Sequence, residues 1–235
     1  KAPSESHEDV GDKTNDALRI DSNELQCKAL GEGGNLGVTQ KARIDFARRG
    51  GSVNSDFIDN AGGVDCSDHE VNIKILLNDV VQEGDMTLKQ RNELLVQMTD
   101  EVAQLVLKNN YRQTGAISVA RSETLYRMGE YKRYIHALVN DGKLDRELEY
   151  IPSDEELHDR IVNGKGLTRP ELCTLLSYTK AILKDELTHS TLPDDDYICH
   201  EIEKAFPRVL VERFPQPLYG HKLRREIVAT QVASS

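Results

Sequence analysis

Two glycine-rich stretches near the start of the chain constrain the path of its backbone. The first is residues 31–37 (GEGGNLG), which follow a short apolar run, and the second is residues 59–63 (DNAGG). Glycine carries no side chain, so it lets the backbone approach a ligand closely and leaves backbone N–H groups open to it. We interpret both stretches as turns, the second of which leads into a helix that begins near Asp65. Two such turns close in sequence indicate a single cleft for a polar small molecule.

Around these turns, residues 1–80 alternate short helix and strand patterns separated by turn residues, which is typical of a small α/β part. The predicted elements are a helix over 7–18, a strand over 26–31, a helix over 39–48, a strand over 52–58 and a helix over 65–80. Gly50 and Gly51 form the predicted turn between the second helix and the second strand. The pattern predicts a β-α-β arrangement in this part of the chain.

Residues 81–235 show helical periodicity and no convincing strand. Apolar side chains recur at helical spacing within 94–106 and within 128–139. A hydroxyl side chain followed three residues later by an acidic or amide side chain predicts a capping box at a helix start. Such pairs occur at Thr87 and Gln90, at Ser153 and Glu156, and at Thr168 and Glu171. Three late prolines interrupt the helical pattern before a last predicted helix over 222–232.

The composition excludes several classes of partner. Thirty basic and forty acidic residues give a formal charge of −10, which disfavours binding to nucleic-acid phosphates or anionic lipid. No apolar stretch approaches the roughly 20 residues that cross a bilayer, and the polar start has no signal-peptide core. The four cysteines lack any C-x-x-C spacing, which favours reduced thiols over disulfides or a zinc site. We therefore expect a cytoplasmic protein whose partners are small molecules or proteins.

Motifs within and beyond the glycine-rich stretches resemble those of glutamate dehydrogenases. GGNLG at 33–37 and DNAGGVxxS at 59–67 are similar to the late part of the nucleotide-binding domain of these enzymes. The large bacterial NAD-specific members are more similar still, with VGDKTNDA at 10–17 and DHEVNIKILL at 68–77. Weaker motifs continue from LTRPEL at 167–172 to LRREIVATQ at 223–231. The resemblance spans nearly the whole chain, which would be a piece of a much longer enzyme.

Five residues are predicted to form the site. Because they lack side chains, Gly33 and Gly34 are expected to let the backbone approach the NAD cofactor, and the resemblance implies that Asn35 lies near the nicotinamide ribose. The resemblance likewise implies that Asn60 lies beside the nicotinamide and the amino acid, and that Ser67 binds the distal carboxylate of glutamate. Asparagine offers a donor and an acceptor to a sugar or amide, and a serine early in a helix adds the helix dipole to its hydroxyl.

The resemblance also implies the fold and the activity. The fold is mainly α with a small α/β, partial Rossmann-like N-terminal part. Residues 1–80 would end a nucleotide-binding catalytic domain, and residues 81–235 would form a helical C-terminal domain. The intact enzyme would be a homo-oligomer that converts glutamate to 2-oxoglutarate and ammonium. No G-x-G-x-x-G opens the chain, so the pyrophosphate-binding turn and the proton-transfer residues are expected upstream. We therefore expect no catalytic residue here and no activity from this chain alone.

Other interpretations of these motifs stay open. Asp65, Cys66, Asp68 and His69 are metal-ligand types, but no second cluster completes a site, so we expect a solvated helix N-terminus and no metal. The basic residues 221–225 are better explained as an exposed helix face than as an anion patch. A competing hypothesis takes the glycine turns as structural and the chain chiefly as a helical assembly or regulatory module without catalytic residues.

Overall fold

The computed structural model describes residues 1–34 and 37–235, and Ala61 by its backbone alone. The described residues are mainly helical. Their α-helices are α1 His7–Val10, α2 Gln40–Arg48, α3 Asp56–Asp59, α4 Ala61–Gln82, α5 Leu88–Gln97, α6 Thr99–Glu123, α7 Met128–Asn140, α8 Asp154–Val162, α9 Arg169–His189, α10 Arg208–Arg213, α11 Pro215–Tyr219 and α12 Arg224–Ala233. Within the described ranges, four 3-10 helices cover Lys13–Leu18, Ser22–Glu24, Leu192–Asp194 and Ile198–Ala205.

Two strands, β1 (Ala29–Leu30) and β2 (Ser52–Val53), form a parallel pair. Ala29 lies opposite Ser52 and Leu30 opposite Val53. Helix α2 connects the strands, which confirms the predicted β-α-β order. No other strand occurs in the part of the chain that the structure describes.

Both strands are shorter than the sequence pattern predicts. After β2, Ser55 takes an extended conformation before the helical residue Asp56, so the chain enters α3 where the pattern predicts strand as far as residue 58. Serine is a preferred residue immediately before a helix, whereas alternating apolar residues also suit a strand. The prediction of a strand over 52–58 is therefore wrong beyond Val53.

Two predicted helices differ from those observed. Gly11 has a φ of 72°, which ends α1 and separates it from the 3-10 helix over Lys13–Leu18, so the predicted helix over 7–18 is broken. Helix α4 begins at Ala61, four residues before Asp65, so Gly62 and Gly63 lie in its first turn. The prediction that the second glycine-rich stretch is a turn is therefore wrong at these two glycines.

The predicted capping boxes are largely present. At α5 and α8, the side chains of Thr87 and Ser153 accept the expected N–H bonds, and Gln90 and Glu156 bond back. Before α9, the Glu171 carboxylate accepts bonds from both the N–H and the hydroxyl of Thr168. The Thr168 hydroxyl thus bonds to the carboxylate, which also pairs with a buried arginine described below.

The chain divides into two compact units, here called unit 1 (residues 1–60 and 114–178) and unit 2 (residues 61–113 and 179–235). Unit 1 contains both strands and the buried side chains of α2, α8 and the first part of α9. Unit 2 has an apolar core that includes Leu76, Leu77, Met98, Ile202 and Leu210. The division into domains at residue 80 stays a prediction. Within the described residues, none of the helices is long and apolar enough to cross a membrane.

Candidate functional site

The carboxyl ends of β1 and β2 bring both predicted cofactor segments to one edge of unit 1. Residues 31–34 follow β1, and residues 54–60 follow β2. Because parallel strands end at the same edge of a sheet, these two segments are neighbours. Open α/β sheets bind ligands at this edge. We call it the carboxyl edge.

The predicted cofactor residues at the carboxyl edge are accessible where they are described. Gly33 and Gly34 are exposed, and apart from their chain neighbours no atom of the described residues lies within 4 Å of the position that a Cβ on either would occupy. Neither has a positive φ. Asn60 is half-buried at the end of α3, where its N–H donates to the Asp56 carbonyl at 2.7 Å. Asn35 lies outside the described residues.

A hydrogen bond links the segment after β1 to the segment after β2. The Glu32 N–H donates to Asp59 Oδ2 at 3.3 Å, and Asp59 Oδ1 accepts from Asn54 Nδ2 at 2.8 Å. Asn54 Oδ1 in turn accepts from Arg169 Nε at 2.9 Å. Arg169 also donates to the Ser118 hydroxyl at 3.0 Å. Side chains from distant parts of the sequence therefore hold the backbone next to Gly33 and Asn60.

A buried arginine lies beneath the same edge. Arg43, on α2, is 2% exposed, and its guanidinium pairs with the Glu32 carboxylate. Its Nη1 lies 3.6 Å from Asp56 Oδ1, in the segment after β2. The other oxygen of Glu32 accepts the N–H of Gly37. Glu32 is thereby bound to both the glycine-rich stretch and the helix beneath it.

The Cys173 thiol, which bonds with Ser55 after β2, is not poised as a nucleophile. Cys173 is fully buried, and burial raises its pKa to about 11, outweighing the lowering effect of its hydrogen bonds with Ser55. Since only the thiolate is nucleophilic, this cysteine is inert near neutral pH. Its role is to pack beside the serine that precedes α3.

Ser67, the predicted glutamate ligand, lies in unit 2. It is exposed on α4, and its hydroxyl donates to the Gly63 carbonyl at 2.9 Å. The hydroxyl therefore bonds back within α4 and does not cap the helix, since a cap accepts a bond from a backbone N–H. The prediction that Asn35, Asn60 and Ser67 share one concavity stays a prediction.

The possible metal ligands of α4 do not form a cluster. His69 Nδ1 bonds to the Ala205 carbonyl at 2.9 Å, and its Nε2 lies 3.9 Å from Asp65 Oδ1. Asp65 also accepts a bond from Asn109 at 3.0 Å. Among the described residues, no three His, Cys, Asp or Glu side chains come close enough to hold a metal. His69 is buried, so the predicted solvated helix terminus is wrong at this residue.

Comparison with known protein families shows which family the chain belongs to. Residues 1–120 match the family model described as bacterial NAD-glutamate dehydrogenase, catalytic domain. The chain belongs to this family. Residues 164–235 match the model described as glutamate dehydrogenase, C-terminal. Gly33, Gly34, Asn60 and Ser67 all fall in the catalytic-domain match.

Curated relatives of this family match the chain along its whole length. An NAD-specific glutamate dehydrogenase of Pseudomonas aeruginosa is 60% identical over 234 residues, and one of Halomonas elongata is 55% identical over 234 residues. One of Mycobacterium tuberculosis is 45% identical over 232 residues. These alignments cover 99–100% of this chain but only 14% of each relative. The chain thus spans about one seventh of the length of these dehydrogenases.

Sequence reasoning missed the residues that hold the carboxyl edge. Glu32 and Asp59 lie inside the two quoted glycine motifs, but nothing in the sequence shows that they are linked. Arg43 carries the clearest signal, since it stands between the apolar residues Ala42 and Ile44 in a helix whose buried positions are otherwise apolar. A charged residue at such a position is rarely buried without a partner.

Proposed function

We propose that this chain is part of an NAD-dependent glutamate dehydrogenase that converts L-glutamate to 2-oxoglutarate and ammonium. The observation that carries the proposal is the carboxyl edge, where an open glycine-rich segment and Asn60 follow adjacent parallel strands. Membership of the family and the dehydrogenase names of its relatives support the same conclusion. The short parallel pair would belong to a partial Rossmann-like sheet.

The residues present fit a dinucleotide cofactor. The backbone at Gly33 and Gly34 is exposed and therefore accessible to a ligand. Glu32, the carboxylate next to them, is paired with Arg43, so it adds no uncompensated negative charge beside an anionic cofactor. When bound, NAD would accept the hydride from the α-carbon of glutamate.

Each predicted site residue has one role in this proposal. Gly33, Gly34, Asn35 and Asn60 contact the cofactor through backbone and amide groups. Ser67 donates a hydrogen bond to the distal carboxylate of glutamate. None of these residues transfers a proton, so the chain supplies binding surface while proton transfer belongs to other parts of the enzyme. We expect the whole enzyme to be a cytoplasmic homo-oligomer.

NADH formation tests the proposal. The full-length protein that carries these residues should reduce NAD in the presence of L-glutamate, with D-glutamate as the control substrate, whereas residues 1–235 alone should not. Substituting Asn60→Ala in the full-length protein should weaken NAD binding in a direct titration. Failure of the full-length protein to oxidise glutamate would overturn the proposal and favour a helical assembly or regulatory module. Turnover by the 235 residues alone would overturn the expectation that the catalytic groups lie elsewhere.

A further inference from the structure

We propose that Arg43 is a positioning residue that sets the glycine-rich cofactor segment against the segment after β2. The inference rests on the proposed function, because it assigns Arg43 a role in NAD affinity. Arg43 itself lies beneath the segment and is only 2% exposed. Its action therefore goes through the backbone that it holds.

The buried position of Arg43 has no packing explanation. A guanidinium taken out of water is costly unless charged partners and hydrogen bonds compensate it. Its neighbours Ala42, Ile44 and Phe46 on α2 are buried and apolar, so an apolar side chain would suit the position. The Nε of Arg43 is buried with no hydrogen-bond partner among the described residues. The contacts that its two terminal nitrogens make therefore explain why an arginine occupies this buried position.

Those two nitrogens hold different segments. One pairs with Glu32 after β1, and the other lies 3.6 Å from Asp56 after β2. A single planar guanidinium therefore fixes the distance between the two segments of the carboxyl edge. Lysine cannot reproduce this contact, because its ammonium is a single point charge without a rigid fork.

Two hydrogen bonds of Glu32 connect its pairing with Arg43 to the backbone around the glycine-rich stretch. Its carboxylate accepts the N–H of Gly37, and its own N–H donates to Asp59. A Cβ at Gly37 would lie 3.0 Å from Glu32 Oε1, so the contact is tight. Gly33 and Gly34 lie between the two fixed points. Loosening the Arg43–Glu32 pair should therefore loosen the backbone that we propose contacts NAD.

The experiment separates positioning from stability with a double substitution. In the full-length enzyme, Arg43→Met leaves the half-buried Glu32 carboxylate without its ion-pair partner, so both Tm and NAD affinity should fall. Glu32→Gln with Arg43→Met removes both charges, so Tm should recover. NAD affinity should not recover, because the guanidinium that spans the two segments is still missing and, of the contacts described above, only the Glu32 N–H bond to Asp59 joins them. We expect the KM and Kd for NAD to rise by roughly 10-fold to 100-fold in both variants, with the KM for glutamate almost unchanged.

Two further variants make the test specific. Arg43→Lys keeps the charge and should raise the Kd for NAD to a value between those of the wild type and Arg43→Met. This variant also provides the test if Arg43→Met does not fold. Arg49→Met is the matched control, since Arg49 follows α2, is exposed and pairs only locally with Asp45 at 3.2 Å. It should leave NAD affinity at the wild-type value.

The outcomes distinguish this inference from the proposed function. If the double variant regains both Tm and NAD affinity, or if Arg43→Met binds NAD normally, Arg43 is not a positioning residue. If the wild-type enzyme binds NAD without oxidising glutamate, the proposed function fails while the Kd comparison still tests Arg43. A wild-type protein that does not bind NAD overturns both.

Discussion

At the scale of single residues, the buried arginines Arg43 and Arg160 each pair with a carboxylate. Arg160 and Glu171 in unit 1 form two parallel bonds of 2.8 Å, and Glu171 is fully buried. The same carboxylate accepts the N–H and hydroxyl of Thr168 before α9. The sequence predicted Glu171 as part of a capping box, but not its arginine, because pairing across eleven residues depends on how α8 packs. Such a pair stabilises little compared with apolar residues, yet breaking it is costly.

We predict that Glu171→Ala destabilises the chain far more than Glu156→Ala. The first substitution leaves Arg160 buried without a partner, which should cost about 3–5 kcal/mol of unfolding free energy. Glu156 belongs to an exposed capping box at α8, whose loss should cost about 1 kcal/mol. Urea denaturation of both variants measures the difference. Equal losses would mean that the Arg160 pair does not matter to stability.

A second prediction at this scale concerns acid stability in unit 2. His221 is 4% exposed, and burial lowers its pKa below the usual 6.5, outweighing the hydrogen bond to the Asn72 carbonyl. Its Nδ1 accepts the N–H of Leu223, so the folded chain favours the neutral ring. Below about pH 6.5 the unfolded chain takes up a proton that the folded chain resists. Stability should therefore fall as the pH drops from 7 to 5.5.

Substitution tests this assignment. His221→Gln should flatten the dependence of unfolding free energy on pH between 7 and 5.5. His189→Gln is the control, because His189 is exposed at the end of α9. A pH dependence unchanged in His221→Gln would assign the acid sensitivity to other groups.

At the scale of elements, local signals predicted helix starts better than strand lengths. The Thr39 hydroxyl, for example, caps α2 by accepting a hydrogen bond from the Ala42 N–H. The start of α4 could not be predicted, because Gly62 and Gly63 are poor helix formers by about 1 kcal/mol each. The buried side chains of Leu76 and Leu77 further along α4 supply the tertiary packing that offsets this cost. The hydrophobic periodicity of the sequence does not show how strongly tertiary packing will stabilise a helix.

We predict that Gly51→Ala destabilises unit 1. A Cβ at Gly51 would lie 2.2 Å from the Phe46 ring, which is buried on α2, so the ring would have to leave its position. The cost should be about 1–3 kcal/mol, as for other overpacked cores. Gly115→Ala is the control, since its Cβ would meet no atom within 4 Å on α6. Gly115→Ala should stabilise the helix by up to about 1 kcal/mol. If Gly115→Ala lowered Tm as much as Gly51→Ala, the overpacking explanation would be wrong.

At the scale of the whole molecule, the sequence predicted that two segments follow neighbouring strands, but not the contacts that hold these segments. The parallel pairing of β1 and β2 across α2 places the segments that contain Gly33 and Asn60 at the same edge. The contacts that fix the edge join residues far apart in sequence, such as Asn54 and Arg169. No local pattern encodes such a pair. The polar network therefore became visible only in the folded chain.

We predict that Ser67→Ala raises the KM of the full-length enzyme for glutamate and leaves the KM for NAD nearly unchanged. One hydrogen bond to a charged carboxylate is worth about 1.5–3 kcal/mol. Stability should hardly change, because the hydroxyl lies on an exposed helix face and bonds only to the Gly63 carbonyl. Cys66→Ala, at the exposed neighbouring residue, should change neither constant. Unchanged glutamate kinetics in Ser67→Ala would remove Ser67 from the substrate site.

The bond between Arg169 and Asn54 also bears on how relatives can be recombined. Asn54 lies in the segment matched by the catalytic-domain family, and Arg169 lies in the segment matched by the C-terminal family. The border between two families in the sequence is thus crossed by a side chain that supports the carboxyl edge. A chimera that joins these segments from two different relatives would inherit the arginine from one parent and its acceptor from the other. Its design should carry both residues together.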